Sequence, residues 1–581
     1  MSSPVRRSFG LATLLSLMLA LLMVAAPVGL GHSGGSTHVA GIDVDSTTIP
    51  ELQALMDENR LTSVQLTRFY LNRIKKLNPK LNAVITVSPT SLADARAADR
   101  ARRQGDDRPL LGMPIIVKDN INTTGMATTA GSWALAGSTP PDAFIVEQLR
   151  AAGAFIIGKA NLSEWANFRS DPSSSGWSGI GGQTNMAYRL NRNPCGSSSG
   201  SAVAASADLA VAAVGTETDG SIVCPAGANA VVGIKPTIGL LSRSGIIPIT
   251  ADQDTAGPMA RNVTDAAVLL GAMTGVDPAD PATAAQEGNA VADYTQFLDE
   301  DALDGARIGV WREGTFGIDD DFDEIMEATI DALEEAGAII VDPANVPIDD
   351  AYDPEFTALL CEFKDDIADY LETYTAADYP KTLQDLIDFN EANPDLEGPW
   401  NSEIFELSQE TGGRDADCSE ARETANSIAE AAINDTMSDN DLDAIMAPTN
   451  GPAWLTDPVN GDLGGDFSTF VGSSSPAAII GYANVTVPAG YVGELPVGVS
   501  FMGGRWDEPT LIALAYSFEQ ATNVRRPPKF LGDPPDTAMA TPTGANPAYD
   551  AASGNLIALV AAISFVASLA IVRRRAEAGG P

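Results

Sequence analysis

Residues 193–201 read Asn-Pro-Cys-Gly-Ser-Ser-Ser-Gly-Ser, and residues 215–221 read Gly-Thr-Glu-Thr-Asp-Gly-Ser. Between them the pattern predicts a helix from Ser201 and an apolar run to Val214, so two polar, glycine-bearing loops bracket one helix–strand unit. The alternation continues outward. Residues 62–77 read as an amphipathic helix with Leu66, Tyr70, Ile74 and Leu77 on one face and Thr62 with Gln65 as a capping box. Residues 82–87, 114–117 and 155–158 read as strands, the last preceded by a helix over 143–152 that Gly153 stops. Downstream, 307–311 is a strand, 321–336 a helix and 339–341 another strand. Strands alternating with helices predict an α/β layered fold with a largely parallel or mixed sheet. Residues 350–440 are acidic and mostly helical, which suits an insertion over one face of the core.

The chain has 581 residues, 44% of them hydrophobic and 6% aromatic, a globular rather than disordered composition. Its 35 basic and 77 acidic residues give a net charge of −42. Such acidity argues against nucleic acid as a partner, because phosphate neutralisation needs basic patches. It predicts a hydrated acidic surface suited to high salt, where repulsion is screened.

Histidine is the most informative count. There are two, His32 and His38, both near the N-terminus. The rest of the chain therefore lacks Ser-His-Asp and Cys-His catalysis, histidine-ligated zinc and HExxH chemistry. Gly196-Ser197-Ser198-Ser199-Gly200 satisfies the GxSxG elbow and would make Ser198 a nucleophile. No histidine follows to activate it, so that reading fails.

A neutral lysine is the remaining base. Unperturbed, it is neutral in only about one molecule in 2,500 at pH 7, and burial raises that fraction by disfavouring the ammonium. Three lysines close apolar runs: Lys118 after PIIV, Lys159 after FIIG and Lys235 after VVGI. Pattern alone does not rank them, and each fits a structural ion pair equally. Four cysteines, Cys195, Cys224, Cys361 and Cys418, allow three pairings, of which 195–224 with 361–418 is one; free buried thiols are the alternative. No CxxC occurs, which speaks against a thiolate metal site, and nothing in the sequence calls for a cofactor.

Residues 1–40 read as an export leader, with Arg6 and Arg7 before an apolar stretch; twin-arginine and general secretory routes both fit. Residues 556–572 are uncharged and precede Arg573, Arg574 and Arg575. Seventeen residues make roughly 26 Å of helix, near the lower limit for a bilayer span. Residues 526–555 read as a Pro/Gly/Thr-rich stalk and 573–581 as a basic cytoplasmic tail. The expectation is a body, residues 41–525, exported to the cell surface and anchored in the cytoplasmic membrane by its C-terminus.

PIIVKDN (114–120), GGQTNMAYRLNRNPCGSSSGSA (181–202), GTETDGSIVCPAG (215–227) and QDTAGPMAR (253–261) resemble the amidase signature family. KANLSEWANFRS (159–170) is similar in wording to bacterial peptide amidases, and residues 496–522 resemble the family's C-terminal hairpin and helix. The resemblance runs from about residue 48 to 525. It implies a three-layer core in which a central, mixed, twisted sheet is covered by helices on both faces. It also implies a Ser–cis-Ser–Lys triad of Lys118, Ser197 and Ser221, with the backbone N–H groups of Thr218, Asp219, Gly220 and Ser221 as oxyanion hole. The family's usual GGSSGG is altered here by Cys195 and Ser199, neither at a catalytic position. The implied activity is hydrolysis of a linear carboxamide, with C-terminal peptide amides as the favoured substrates and no metal or cofactor. Two rivals remain at this level: an amidotransferase A-like protein that hands ammonia to a partner, and a non-catalytic surface protein on the same scaffold.

Overall fold

The computed structural model describes residues 36–463 and 472–535. Its contacts fall into two units, 1–36 and 37–581, and the description that follows concerns the second. Most of the leader (1–35), most of the stalk, the 556–572 run and the basic tail lie outside the described residues, whereas the leader's expected last residues are described and pair His38–Val39 with Ile42–Asp43. Among the described residues no helix is long and apolar enough to cross a membrane.

Eleven strands form one sheet, numbered here β1 (Val84–Val87), β2 (Pro114–Lys118), β3 (Phe155–Ala160), β4 (Ala212–Glu217), β5 (Val232–Lys235), β6 (Thr255–Ala260), β7 (Arg307–Val310), β8 (Ile339–Val341), β9 (Ala444–Pro448), β10 (Asn484–Val492) and β11 (Leu495–Met502). Their spatial order is β8-β7-β9-β11-β10-β5-β6-β4-β2-β3-β1. The neighbours β3–β2–β4 and β8–β7–β9 are parallel, and the remaining pairs are antiparallel. The sheet is therefore mixed, as the sequence pattern predicts. β2, β3, β4, β5, β6 and β9 are buried along their whole length, which explains their near-continuous apolar sequences.

The helices follow from local chemistry. α1 (Ser63–Leu81) begins at Thr62, whose side chain accepts from the Gln65 N–H, and it buries Leu66, Tyr70, Ile74, Leu77 and Leu81 at helical spacing. It ends where Asn82 turns left-handed at φ 48°. α2 (Ser199–Ser206) is wholly buried against β4, and α3 (Val223–Ala228) packs on β5, β10 and β11. Its small residues, Ser, Gly and Ala, let α2 approach the strands closely; a Cβ on Gly200 would sit 2.5 Å from the Ala83 carbonyl oxygen. α4 (Val263–Met273), α5 (Asp320–Glu335) and α8 (Glu508–Thr522) pack on the sheet, with α8 touching both of the others.

Within 350–440, α6 (Tyr352–Tyr374) and α7 (Ala416–Asn440) lie against each other, with shorter helices at Leu383–Ala392 and Glu403–Glu410. Phe356, Leu359, Phe363 and Ile367 of α6 form a second apolar cluster with Leu135, Phe168, Ile247 and Ile249 from loops beside the sheet. Each such side chain buried is worth about 1.5–3 kcal/mol, which holds the acidic helices down despite their charge.

The body continues past the boundary expected at 525. The N–H groups of Phe530 and Leu531 donate to the carbonyls of Ala187 and Tyr188, and the Arg526 guanidinium stacks 3.9 Å over the Tyr491 ring. The start of the expected stalk is thus a strap bound to the body, because its backbone finds partners on the 187–190 loop.

Candidate active site

All three strand-end lysines are fully buried, and the structure separates them by their partners. Lys159 Nζ lies 3.2 Å from Asp119 Oδ1 and donates to the Ile121 carbonyl and Thr128 Oγ1, a structural ion pair. Lys235 Nζ donates to the Tyr482 carbonyl at 2.5 Å, and burial pushes it down to about 8 while Glu217 draws it back up. Lys118 Nζ faces neutral oxygens: Ser197 Oγ at 2.8 Å, Thr216 Oγ1 at 2.8 Å and the Thr216 carbonyl at 3.2 Å. Burial lowers its pKa to about 7, against the opposing pull of Asp254 and Glu217. Near neutral pH a substantial share of this amine is therefore uncharged and able to accept a proton.

The Gly196–Ser197 peptide bond is cis. The Ser197 carbonyl accepts from the Ser163 N–H at 3.0 Å. A Cβ on Gly196 would collide with Ser163 Oγ, so the loop needs glycine there. Ser198, the centre of the GxSxG pattern, is tied to β4: its Oγ donates to the Thr216 carbonyl at 2.9 Å and accepts from the Thr216 N–H at 3.1 Å. That hydroxyl is a structural clamp.

Ser221 stands in the turn between β4 and α3, with 7% of its surface exposed. Gly220 before it has φ 75°, a conformation glycine accepts without strain. The Glu217 carboxylate accepts from the N–H groups of Ile222 at 2.7 Å and Val223 at 3.0 Å, and the Gly220 N–H is drawn to it as well. The turn 218–221 is thereby folded around one carboxylate. Cys195 and Cys224 form a disulfide that ties the Ser197 loop to the start of α3, and Cys361 with Cys418 ties α6 to α7. Of the three pairings the sequence allows, the structure thus contains 195–224 with 361–418.

Several residues that sequence reasoning passes over support this turn. Thr218 Oγ1 donates to Asp254 Oδ1 at 2.5 Å, and the Thr218 carbonyl accepts from Gln253 Nε2 at 3.1 Å. Gln253 also donates to Glu355 Oε1 and accepts from Arg422, which pairs with Glu362 at 2.7 Å. Asp219 Oδ1 accepts from Ser474 Oγ at 2.5 Å, and burial raises the Asp219 carboxyl well above the usual range, with Glu355 adding to the effect. QDTAGPMAR contains Gln253 and Asp254, so the motif points at them without assigning a role. Among the described residues no cluster of three or more His, Cys, Asp or Glu side chains is arranged to hold a metal ion.

A buried amine bears on one serine hydroxyl, and a second serine stands in a glycine turn tied to the same loop by the Ser198 N–H, which donates to the Ser221 carbonyl; such an arrangement is capable of nucleophilic chemistry at serine without histidine. The family model described as Amidase matches residues 65–512. The chain is 39% identical over 528 residues to a probable amidase of Arabidopsis thaliana, covering 88% of this chain and 97% of that protein. It superimposes on the native peptide amidase of Stenotrophomonas maltophilia with TM-score 0.79 and 48% identity, covering 84% of this chain and 99% of that one. It is also 33% identical to the A component of a glutamyl-tRNA(Gln) amidotransferase from Thermoanaerobacter pseudethanolicus, over 84% of this chain and 99% of that protein. The chain belongs to the amidase family, with its α/β fold and large mixed central sheet, and is an amide-hydrolysing enzyme.

Proposed function

We propose that the enzyme converts a carboxamide and water into a carboxylic acid and ammonia through an acyl-Ser221 intermediate. The observation that carries this reading is the buried Lys118 Nζ at 2.8 Å from Ser197 Oγ, with its pKa held at about 7. Lys118 takes the Ser197 proton while Ser197 takes that of Ser221, whose Oγ bonds to the amide carbon. The oxyanion meets the backbone N–H groups of the 218–221 turn, that of Gly220 being shared with Glu217. One such donor is typically worth about 3–4 kcal/mol. The relay returns a proton to nitrogen, the C–N bond breaks and ammonia leaves. Water adds to the acyl-enzyme by the same route and releases the acid.

C-terminal peptide amides or similar linear amides are the proposed substrates, on the strength of the likeness to the peptide amidase of S. maltophilia. The reading is tested by ammonia release from a panel of short peptide amides, aliphatic amides and aryl amides. Turnover of the aliphatic or aryl amides alone would overturn the peptide assignment. The amidotransferase-A reading draws on the 33% identical relative. It requires a stoichiometric partner, so ammonia release by the purified chain alone excludes it as the sole role.

The proposed location is the cell surface, with the leader of 1–40 exporting the body and 556–572 anchoring it in the cytoplasmic membrane. Protease treatment of intact cells tests this, since a cytoplasmic body would be protected. The acidic composition supports a high-salt habitat. Equal stability in low and molar salt would remove that proposal.

A further inference from the structure

We propose that Thr216, held by Asn120, is a positioning residue that receives two hydrogens of the Lys118 nitrogen, so that its third direction faces Ser197. The proposal rests on the acyl-enzyme reading above. An amine acting as base has two N–H bonds and one lone pair; after it takes a proton it has three N–H bonds and no acceptor. Three oxygens surround Lys118 Nζ: Thr216 Oγ1 at 2.8 Å, the Thr216 carbonyl at 3.2 Å and Ser197 Oγ at 2.8 Å. In the neutral state the two Thr216 oxygens take the two hydrogens, and the lone pair is left for the Ser197 proton. In the protonated state the same three oxygens satisfy all three hydrogens. One residue thus aims the base before the proton moves and solvates the ammonium afterwards, where the Lys118 side chain is fully buried.

Asn120 keeps the threonine in place. Its Nδ2 donates to Thr216 Oγ1 at 2.9 Å and to the Ile247 carbonyl at 3.4 Å. A carbonyl only accepts, so this second contact sets the amide with its nitrogen toward Thr216. The Ile247 N–H in turn donates to the Asn120 carbonyl at 2.8 Å, which locks the loop. Ser198 fixes the Thr216 backbone from the other side through its two contacts. The carboxyls acting on Lys118 are Glu217, next in β4, and Asp254, itself pushed up to about 7 by burial. Asp119, next in the chain, is engaged by Lys159.

The test is the pH dependence of kcat/KM, with the rate of Ser221 labelling by a fluorophosphonate probe as a second readout. Thr216→Val keeps the shape and removes one acceptor. The charged amine loses more than the neutral one, so its pKa falls. The expected result is an acid limb displaced about one to two pH units toward acid, with a plateau lowered about ten- to a hundredfold. Thr216→Ser restores both. Asn120→Ala, which leaves the acceptor but frees it, lowers the plateau and moves the limb less. Should Thr216→Val not fold, Asn120→Ala and Thr216→Ser carry the test through the same profiles. A lowered plateau with an unmoved limb in Thr216→Val would mark a merely structural residue and overturn the proposal. So would an acid limb that vanishes in Asp254→Asn, since it would then belong to Asp254. If Ser221→Ala is inactive and Lys118→Ala strongly impaired at neutral pH while Thr216→Val behaves as wild type, this proposal alone fails; full activity in either of those two variants would instead remove the underlying reading.

Discussion

The backbone N–H of Ser198 donates to the carbonyl of Ser221 at 3.1 Å. This bond joins the residue after Ser197 to the residue assigned the nucleophilic role. The Cys195–Cys224 disulfide joins the same two loops from their other flanks. Ser197 and Ser221 are therefore mounted on one cross-tied unit. Ser221→Ala is expected to abolish ammonia release and probe labelling while leaving the thermal transition unchanged, because the bond from Ser221 to the Ser198 loop comes from its backbone carbonyl. Calorimetry beside an ammonia assay checks both halves.

Lys118→Ala is expected to lower kcat by roughly 10²–10⁴-fold, with partial recovery at high pH where hydroxide replaces the base. In the wild type the amine must be neutral to act, and its pKa lies at about 7 rather than the usual 10.5. The rate should accordingly rise as pH increases through about 7. A rate flat from pH 5 to 9 would sink the assignment.

Lys159→Ala should behave differently. It leaves buried Asp119 without its ion partner, and breaking such a pair costs about 3–5 kcal/mol. Urea unfolding should show the loss, while molecules still folded should retain their specific activity.

Replacing Cys195 and Cys224 together by alanine opens a link across a sequence separation of 29 residues. On the chain-entropy account such a link stabilises by about 3–4 kcal/mol. The melting temperature should fall, and kcat should fall with KM little changed, since the tie joins the two loops that carry Ser197 and Ser221. An unchanged kcat in the folded variant would show that the Ser198–Ser221 bond alone suffices.

Asp171 offers a pH test of stability. Its side chain is buried and its pKa is pushed up to about 8, mainly by burial and then by Glu403. The unfolded chain gives up this proton near 3.8, well before the folded one does. The group's contribution to stability is thus complete below about 3.8 and is lost as pH rises through about 8. Asp171→Asn should raise the melting temperature at pH 8 by several degrees, with the gain vanishing near pH 4. No gain at pH 8 would contradict the raised value.

Much of this arrangement is legible in the sequence. PIIVK, FIIGK and VVGIK announce three strands closed by lysine, and all three strands are there, two ending at Lys118 and Lys235 and the third running one residue past Lys159. The serine-rich loops lead to Ser197 and Ser221, and the missing imidazoles turn attention to lysine. Which lysine acts is not legible from pattern, because the difference lies in partners set by tertiary packing: Asp119 of β2's exit turn answers Lys159 of β3, while Lys118 meets hydroxyls. The support from Gln253 is hidden for the same reason. Arg422 comes to it across a separation of 169 residues, and no local periodicity encodes such a meeting. Gly196-Ser197-Ser198-Ser199-Gly200 shows the converse: a pattern fully matched whose central hydroxyl is spent on the neighbouring strand.

The Thr218 carbonyl, Gln253, Arg422 and Glu362 form an unbroken chain from the 218–221 turn to α6 and α7, where Cys361 and Cys418 lock the two helices together. An engineer wishing to miniaturise this scaffold could not simply delete the acidic helices as ornament. Their removal would strip the Gln253 amide of both Arg422 and Glu355 beside the 218–221 turn, so any slimmer descendant must first invent a substitute brace.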